Sequence, residues 1–256
     1  MKLRSLLIPF ALFASTCASA ADSVEVRGDA AKAGMIAIAP DTRLGDVLRI
    51  AQVNAEGYWL GGAWLQQSLV QPQKRLKAGV LFDLLQLEQK ALLDDQPVLA
   101  NLARRLHDKV AALPVSGRRA HLLDPVGVEV DTEQNQRVSA GDVFIYPARP
   151  TTVRVIGAVP ADCTLDFVPL QQAHDYLDQC PIRAEADNDY VYLIQPDGQI
   201  SHLGIALWNR QDAVPPAPGA TILVPFKAGN ADSAFPQLNA ELAEFIATQP
   251  LSEVAP

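Results

Sequence analysis

Two stretches of the chain carry nearly the same message. Ala140-Gly141-Asp142-Val143-Phe144-Ile145-Tyr146-Pro147 and Pro218-Gly219-Ala220-Thr221-Ile222-Leu223-Val224-Pro225 each run from a glycine turn through a short apolar strand to a proline. Aligned, Gly141 falls on Gly219, Ile145 on Leu223 and Pro147 on Pro225. An internal repeat constrains architecture more than any isolated motif, because each copy must be one structural unit. This one predicts two small β-rich units in tandem, each closed by the same kind of final strand.

The N-terminus reads as a targeting segment. Met1-Lys2-Leu3-Arg4 is basic, Leu6 to Phe13 is apolar, and Ala18-Ser19-Ala20 is a small-residue cleavage pattern. A secretory signal over residues 1–20 is expected, cut between Ala20 and Ala21. Lipidation at Cys17 is the competing reading, and Thr16 suits it poorly. No later apolar run reaches the ~18–20 residues of a membrane helix, so a soluble exported chain is expected. Loss of Lys2 and Arg4 takes the net charge from -8 to about -10. So acidic a surface disfavours nucleic acid and anionic lipid as partners. Cys163 and Cys180 remain as an even pair in an exported protein, which favours a disulfide over free or metal-binding thiols.

Along the chain, Val24 to Arg27 alternates as a strand and Met35 to Ile38 is a second. Asp41 or Thr42 is placed to cap a helix bearing Leu44, Val47, Leu48 and Ala51. From about residue 63 to 113 the pattern turns helical. Leu76, Val80, Leu84 and Leu87 mark one helix; Leu99, Leu102, Leu106, Val110 and Leu113 mark another, begun at Pro97. They read as an inserted hairpin whose helices cover each other's apolar faces. Strands are expected at Arg119 to Leu123, Val126 to Val130 and Val143 to Tyr146. Pro147 and Pro150 flank the passage to the second unit. There, strands are expected at Val153 to Val159, Leu165 to Val168, Tyr190 to Gln195 and Ile200 to Ile205, with a helix near Leu170 to Leu177. Pro196-Asp197-Gly198 is the hairpin turn. After a polar linker, Phe235, Leu238, Leu242, Phe245 and Ile246 form the apolar side of a terminal helix. That helix either packs on its own protein or docks on a partner. The predicted division is 21–149, 150–228 and 229–256. Strand, strand, helix, then further strands is the order of a β-grasp fold, an α+β layout.

Chemistry-bearing motifs are few. His107, His121, His174 and His202 fall in four elements with no ligand or nucleophile at motif spacing. Asp94 and Asp95 read as helix capping, and Asp187 and Asp189 as a solvated loop. Trp59 and Trp64, beside the Gly61-Gly62 turn, and Trp208 are candidates for stacking on sugar rings, weighed against indoles anchoring the insertion. Arg118 is a candidate for holding an acidic glycan or a partner's carboxylate through its planar fork, weighed against an ordinary ion pair. No catalytic, metal or cofactor residues are assigned.

These residues resemble a known family. Gly157-Ala158-Val159, then Val168-Pro169 and Tyr176-Leu177, resemble the SLBB type of β-grasp domain found in polysaccharide exporters. Tyr190 to Gly198, Ala206-Leu207-Trp208-Asn209 and Pro218 to Val224 are similar to the GfcC (YjbG-like) capsule biosynthesis family. So are Trp59 to Ala63 and Pro114 to Arg119 at either end of the insertion. The resemblance implies two tandem β-grasp domains, a helical hairpin in the first, and a C-terminal amphipathic helix. It also implies a periplasmic, non-enzymatic accessory of capsule or exopolysaccharide assembly or export, without cofactor. The partners implied are assembly or export proteins of the periplasm or outer membrane, and the polysaccharide itself. A polysaccharide-binding module is the alternative reading, and a polysaccharide-modifying enzyme the third.

Overall fold

The computed structural model describes residues 22–211, 214–227 and 235–252. The expected signal peptide and its cut between Ala20 and Ala21 lie outside them. In Ser23–Gly28, β1, Val24 and Val26 point inward, as a half-buried strand requires. β1 pairs antiparallel with β2 (Gly34–Ala37). Then come α1 (Leu44–Ala51), a tight helical turn at Trp59–Gly61, and β3 (Ala63–Leu65). Two long helices, α2 (Gln67–Leu93) and α3 (Pro97–Ala112), form the predicted hairpin. β4 (Arg118–Arg119), α4 (Pro125–Val130) and β5 (Val143–Tyr146) complete the first unit. The second unit runs β6 (Thr152–Gly157), β7 (Cys163–Asp166), α5 (Ala173–Tyr176), β8 (Tyr190–Ile194), β9 (Ile200–Gly204) and β10 (Thr221–Val224). α6 (Leu238–Ala247) ends the described chain.

The repeat seen in the sequence is a repeat of topology. The first sheet has the order β2-β1-β5-β3-β4 and the second β7-β6-β10-β8-β9. In both, the first strand lies parallel to the last, and every other pairing is antiparallel. The equivalence reaches single hydrogen bonds. Gly141 N–H donates to Ser23 O at 2.8 Å and Gly219 N–H to Thr152 O at 2.7 Å. The two first strands end alike, at Gly28 (φ 84°) and Gly157 (φ 107°). A Cβ on Gly28 would lie 1.9 Å from Tyr146 O, and one on Gly157 2.2 Å from Val224 O. Only glycine lets the strand pass the closing strand's carbonyl there.

Four sequence expectations shift. Val126 to Val130 is helical, in α4, not a strand: the Asp124 carboxylate accepts from Val126 N–H at 3.0 Å and Pro125 opens the helix, a capping arrangement that outweighs β-branching. The strand expected over Arg119 to Leu123 shrinks to Arg118–Arg119. α1 is closed by Asp46, which accepts from Arg43 N–H at 3.1 Å, while Thr42 Oγ1 serves Ala39 N–H. The insertion begins after β3, so Ala63–Leu65 belongs to the sheet.

The hairpin also does more than cover itself. Its buried residues Val80, Leu84, Leu87, Leu99, Leu102, Leu106 and Val110 join one core with the second sheet and α6. Polar contacts follow the same path. Arg105 donates to the carbonyls of Gly157, Val159 and Pro160, and Lys109 pairs with Asp162. The first unit keeps a separate, smaller core of β1, α1, Trp64, Leu123, Val128, Phe144 and Tyr146.

Candidate functional site

A built surface feature lies at the start of β8. Asp187 Oδ1 accepts from the N–H groups of Asp189 (2.7 Å) and Tyr190 (3.1 Å), which fixes the turn into the strand. Tyr190 and Tyr192, two residues apart, stand on one face of β8. His202 of β9 is paired across from Tyr192. Its ring lies between the tyrosines, 4.6 Å from Tyr190 (stacked) and 4.7 Å from Tyr192. The far wall comes from Pro225, Lys227, Pro236 and Asn239. Asn239 is held there by Phe226: its Oδ1 accepts from the backbone N–H at 3.0 Å and its Nδ2 donates to the carbonyl at 2.9 Å. Together with Asp187, Asn188 and Asp189 these residues enclose a cleft of about 580 Å³. Trp208 stands beside it. Its indole N–H donates to Asp189 Oδ1 at 3.2 Å, yet the residue is 72% exposed. Carboxylate, amide, ammonium and aromatic groups thus converge on one depression, which equips it to bind a polar ligand.

The residues singled out in the sequence scatter. Trp208 alone comes near the cleft: it does not line it, but its indole N–H bonds Asp189, which does. Trp64 has no exposed surface and donates its N–H to the buried Asp142 carboxylate at 2.8 Å; it anchors the first core and offers no face to a sugar. Trp59 is half-buried against the same core. Arg118, 4% exposed, is not a surface fork. Its guanidinium donates to the carbonyls of Gly62 (3.1 Å), Ala247 (3.3 Å), Gln249 (3.0 Å) and Pro196. Burial pushes its pKa down to about 10, against the pull of Asp197, so it stays charged at neutral pH. It ties together the first sheet, the β8–β9 turn and the end of α6.

The terminal helix packs rather than projects. Leu238, Leu242, Phe245 and Ile246 are buried in the second core, with Phe235 partly buried against it. α6 lies against α2, β8 and β9, so the docking reading of that stripe is set aside. Cys163 and Cys180 form the expected disulfide, tying β7 to the segment after α5. Asp187 and Asp189 had read only as a solvated loop, and Tyr190, Tyr192 and His202 as strand residues. The alternation Tyr190-Val191-Tyr192 was the available signal for an aromatic face. Among the described residues no three His, Cys, Asp or Glu side chains cluster as metal ligands, and no helix is long and apolar enough to cross a membrane.

Comparison with known proteins accounts for both halves. Family models described as "Capsule biosynthesis GfcC, N-terminal" and "Capsule biosynthesis GfcC C-terminal" match residues 20–149 and 162–250. The chain is also similar to the uncharacterized protein YjbG of Escherichia coli (strain K12), at 26% identity over 194 residues, 74% of this chain and 76% of that protein. The N-terminal model spans the first sheet and the C-terminal model the second from β7 onward, in that order, and the chain belongs to the GfcC capsule biosynthesis family.

Proposed function

We propose that the protein is a periplasmic accessory of capsule or exopolysaccharide assembly or export, and that it acts by holding other proteins rather than by catalysis. Each unit is read as a β-grasp domain of SLBB type. A parallel central pair flanked by antiparallel neighbours, with a helix after the first hairpin, supports that reading in both units. The Cys163–Cys180 disulfide suits an oxidising compartment, as does the signal-like N-terminus.

The observation that carries the role is the ordered match of both units to capsule-biosynthesis domains. Protein contact draws support from α2. Besides its buried stripe, α2 exposes Phe82, Leu85 and Leu92, spaced by three and seven residues on one side, the anchor pattern of a helix that meets another protein.

Deletion of the gene tests the reading. Surface polysaccharide is expected to fall in amount or length, and to be restored by the wild-type chain but not by a folded Phe82→Ser, Leu92→Ser double variant. Unchanged polysaccharide in the deletion strain defeats the proposal. Recovery of the chain from the cytoplasm rather than the periplasmic fraction defeats the location.

A further inference from the structure

Resting on that capsule-pathway reading, we infer that the cleft between the β8–β9 face and Asn239 is a subsite for an uncharged saccharide, with Trp208 as its stacking platform. A sugar ring is amphipathic: its C–H face needs an apolar plane, and its rim of hydroxyls needs acceptors and donors in that plane's vicinity. The cleft supplies the polar rim and the indole bonded to its Asp189 supplies the plane.

The plane is the Trp208 indole. The residue is 72% exposed, and its one polar atom is engaged by Asp189 Oδ1, a residue of the cleft lining. An indole face left in water is available to a ligand that is apolar on one side and polar at its rim. His202, by contrast, stacks on Tyr190 and lies tilted against Tyr192, so that row already makes its own ring contacts.

The rim contacts are also in place. Asp187 spends Oδ1 on two backbone N–H groups, and Asp189 spends Oδ1 on Trp208; each keeps a second oxygen as an acceptor for a hydroxyl. Asn188 and Lys227 supply donors from opposite sides. Charge sets the class of sugar. Among the described lining residues two carboxylates face one ammonium, on a chain of net charge -8, so a uronate or a phosphorylated sugar meets net repulsion and a neutral pyranose does not. Among the described residues the lining also lacks the Leu, Ile, Val or Met anchors on which a docked peptide depends.

Calorimetry and tryptophan fluorescence on the full exported chain test this. The probes are a neutral gluco-oligosaccharide, a neutral manno-oligosaccharide, a polyuronate oligosaccharide, and surface polysaccharide purified from the producing bacterium. A neutral probe or the polysaccharide is expected to bind saturably and to shift the fluorescence, with the polyuronate at least about tenfold weaker. Trp208→Ala is expected to weaken binding about tenfold, the scale of one aromatic contact. Trp208→Phe, which keeps a ring face, is expected to recover most of the loss, and Asp189→Asn to bind more weakly than wild type. No saturable binding of any neutral probe or of the polysaccharide overturns the inference. So does equal affinity in wild type, Trp208→Ala and Trp208→Phe, or a preference for the polyuronate. Crosslinking from Trp208 to a protein alone, with no saccharide affinity, also overturns it. A silent titration beside a polysaccharide-deficient deletion strain sinks the subsite and spares the functional reading; the converse pair of results does the reverse.

Discussion

The two units place different objects at the same joint. Between β8 and β9 the chain turns in a few residues, through Pro196-Asp197-Gly198. Between β3 and β4, the equivalent strands, it leaves for two long helices and returns at Arg118. Those helices add little to the sheet that emits them. Their apolar stripes enter the neighbour's core. The burial patterns record the result. β1 alternates, buried on one face only, whereas its counterpart β6 ends with three buried residues in succession. A strand buried at successive positions is covered on both faces. The topological unit is therefore not the unit of stability: the second sheet depends on an excursion from the first.

The largest test of that coupling is Arg118→Ala. The side chain serves four carbonyls drawn from both units and from the end of α6. Leaving buried acceptors unpaired, and the guanidinium's space empty, is expected to cost about 4 kcal/mol. Hydrogen exchange should show β5 and β10 losing protection together. Loss confined to β5 would break the coupling.

The next effect probes the sameness of the units instead. Gly28→Ala and Gly157→Ala each drive a methyl group into the closing strand's carbonyl at positive φ. Each is expected to cost about 3 kcal/mol, read from urea midpoints. Should only one of them destabilise, the hydrogen-bond equivalence of the two strand ends would carry no energetic weight.

What the sequence disclosed was local. The strands β1, β2, β5, β6, β8, β9 and β10, and the helices α1, α2, α3 and α6, follow from period-2 and period-3.6 patterns within a dozen residues or so. α4 was misread as a strand because Val126, Val128 and Val130 alternate, and the Asp124-Pro125 cap just before them went unread. The role of Arg118 was hidden for another reason. Its four acceptors lie 56, 78, 129 and 131 residues away, and no local pattern announces such a contact. The cleft was hidden in the same way. Asp187, His202, Lys227 and Asn239 meet only once α6 has folded back on the second sheet.

Only the second unit carries a covalent staple. The Cys163–Cys180 bond closes a short loop, for which chain entropy gives about 3 kcal/mol less any native strain. A Cys163→Ser, Cys180→Ser chain is expected to lose about 2 kcal/mol, with exchange rising first in β7, an edge strand, and not in its counterpart β2. Equal loosening of both edges would count against a local role.

The smallest expected effect is one of sign. In the first unit Glu25 is bonded to Arg27 at 2.7 and 2.9 Å, and that bond holds its carboxyl below the ordinary 4.5. Its contribution is present above that value and fades as pH falls through the lowered one. Across the α2–α6 seam the reverse holds. Desolvation raises Asp83 above 3.8; desolvation first, then the charges of Asp83 and Glu244, raise Glu241 above 4.5. There the folded state holds the proton more tightly, so stability is gained as pH falls through the raised values and is complete below the ordinary ones. These groups are largely solvated, and screening keeps each effect to a few tenths of a kcal/mol. Glu241→Gln is expected to stabilise the protein slightly at neutral pH, and Glu25→Gln to destabilise it slightly. The Glu241 difference should fade as pH falls through its raised value, whereas the Glu25 difference should persist to lower pH, until its lowered value is passed. Urea midpoints at neutral and acidic pH decide the matter: same-sign responses would mean that the α2–α6 seam is as well compensated as the ion pair on β1.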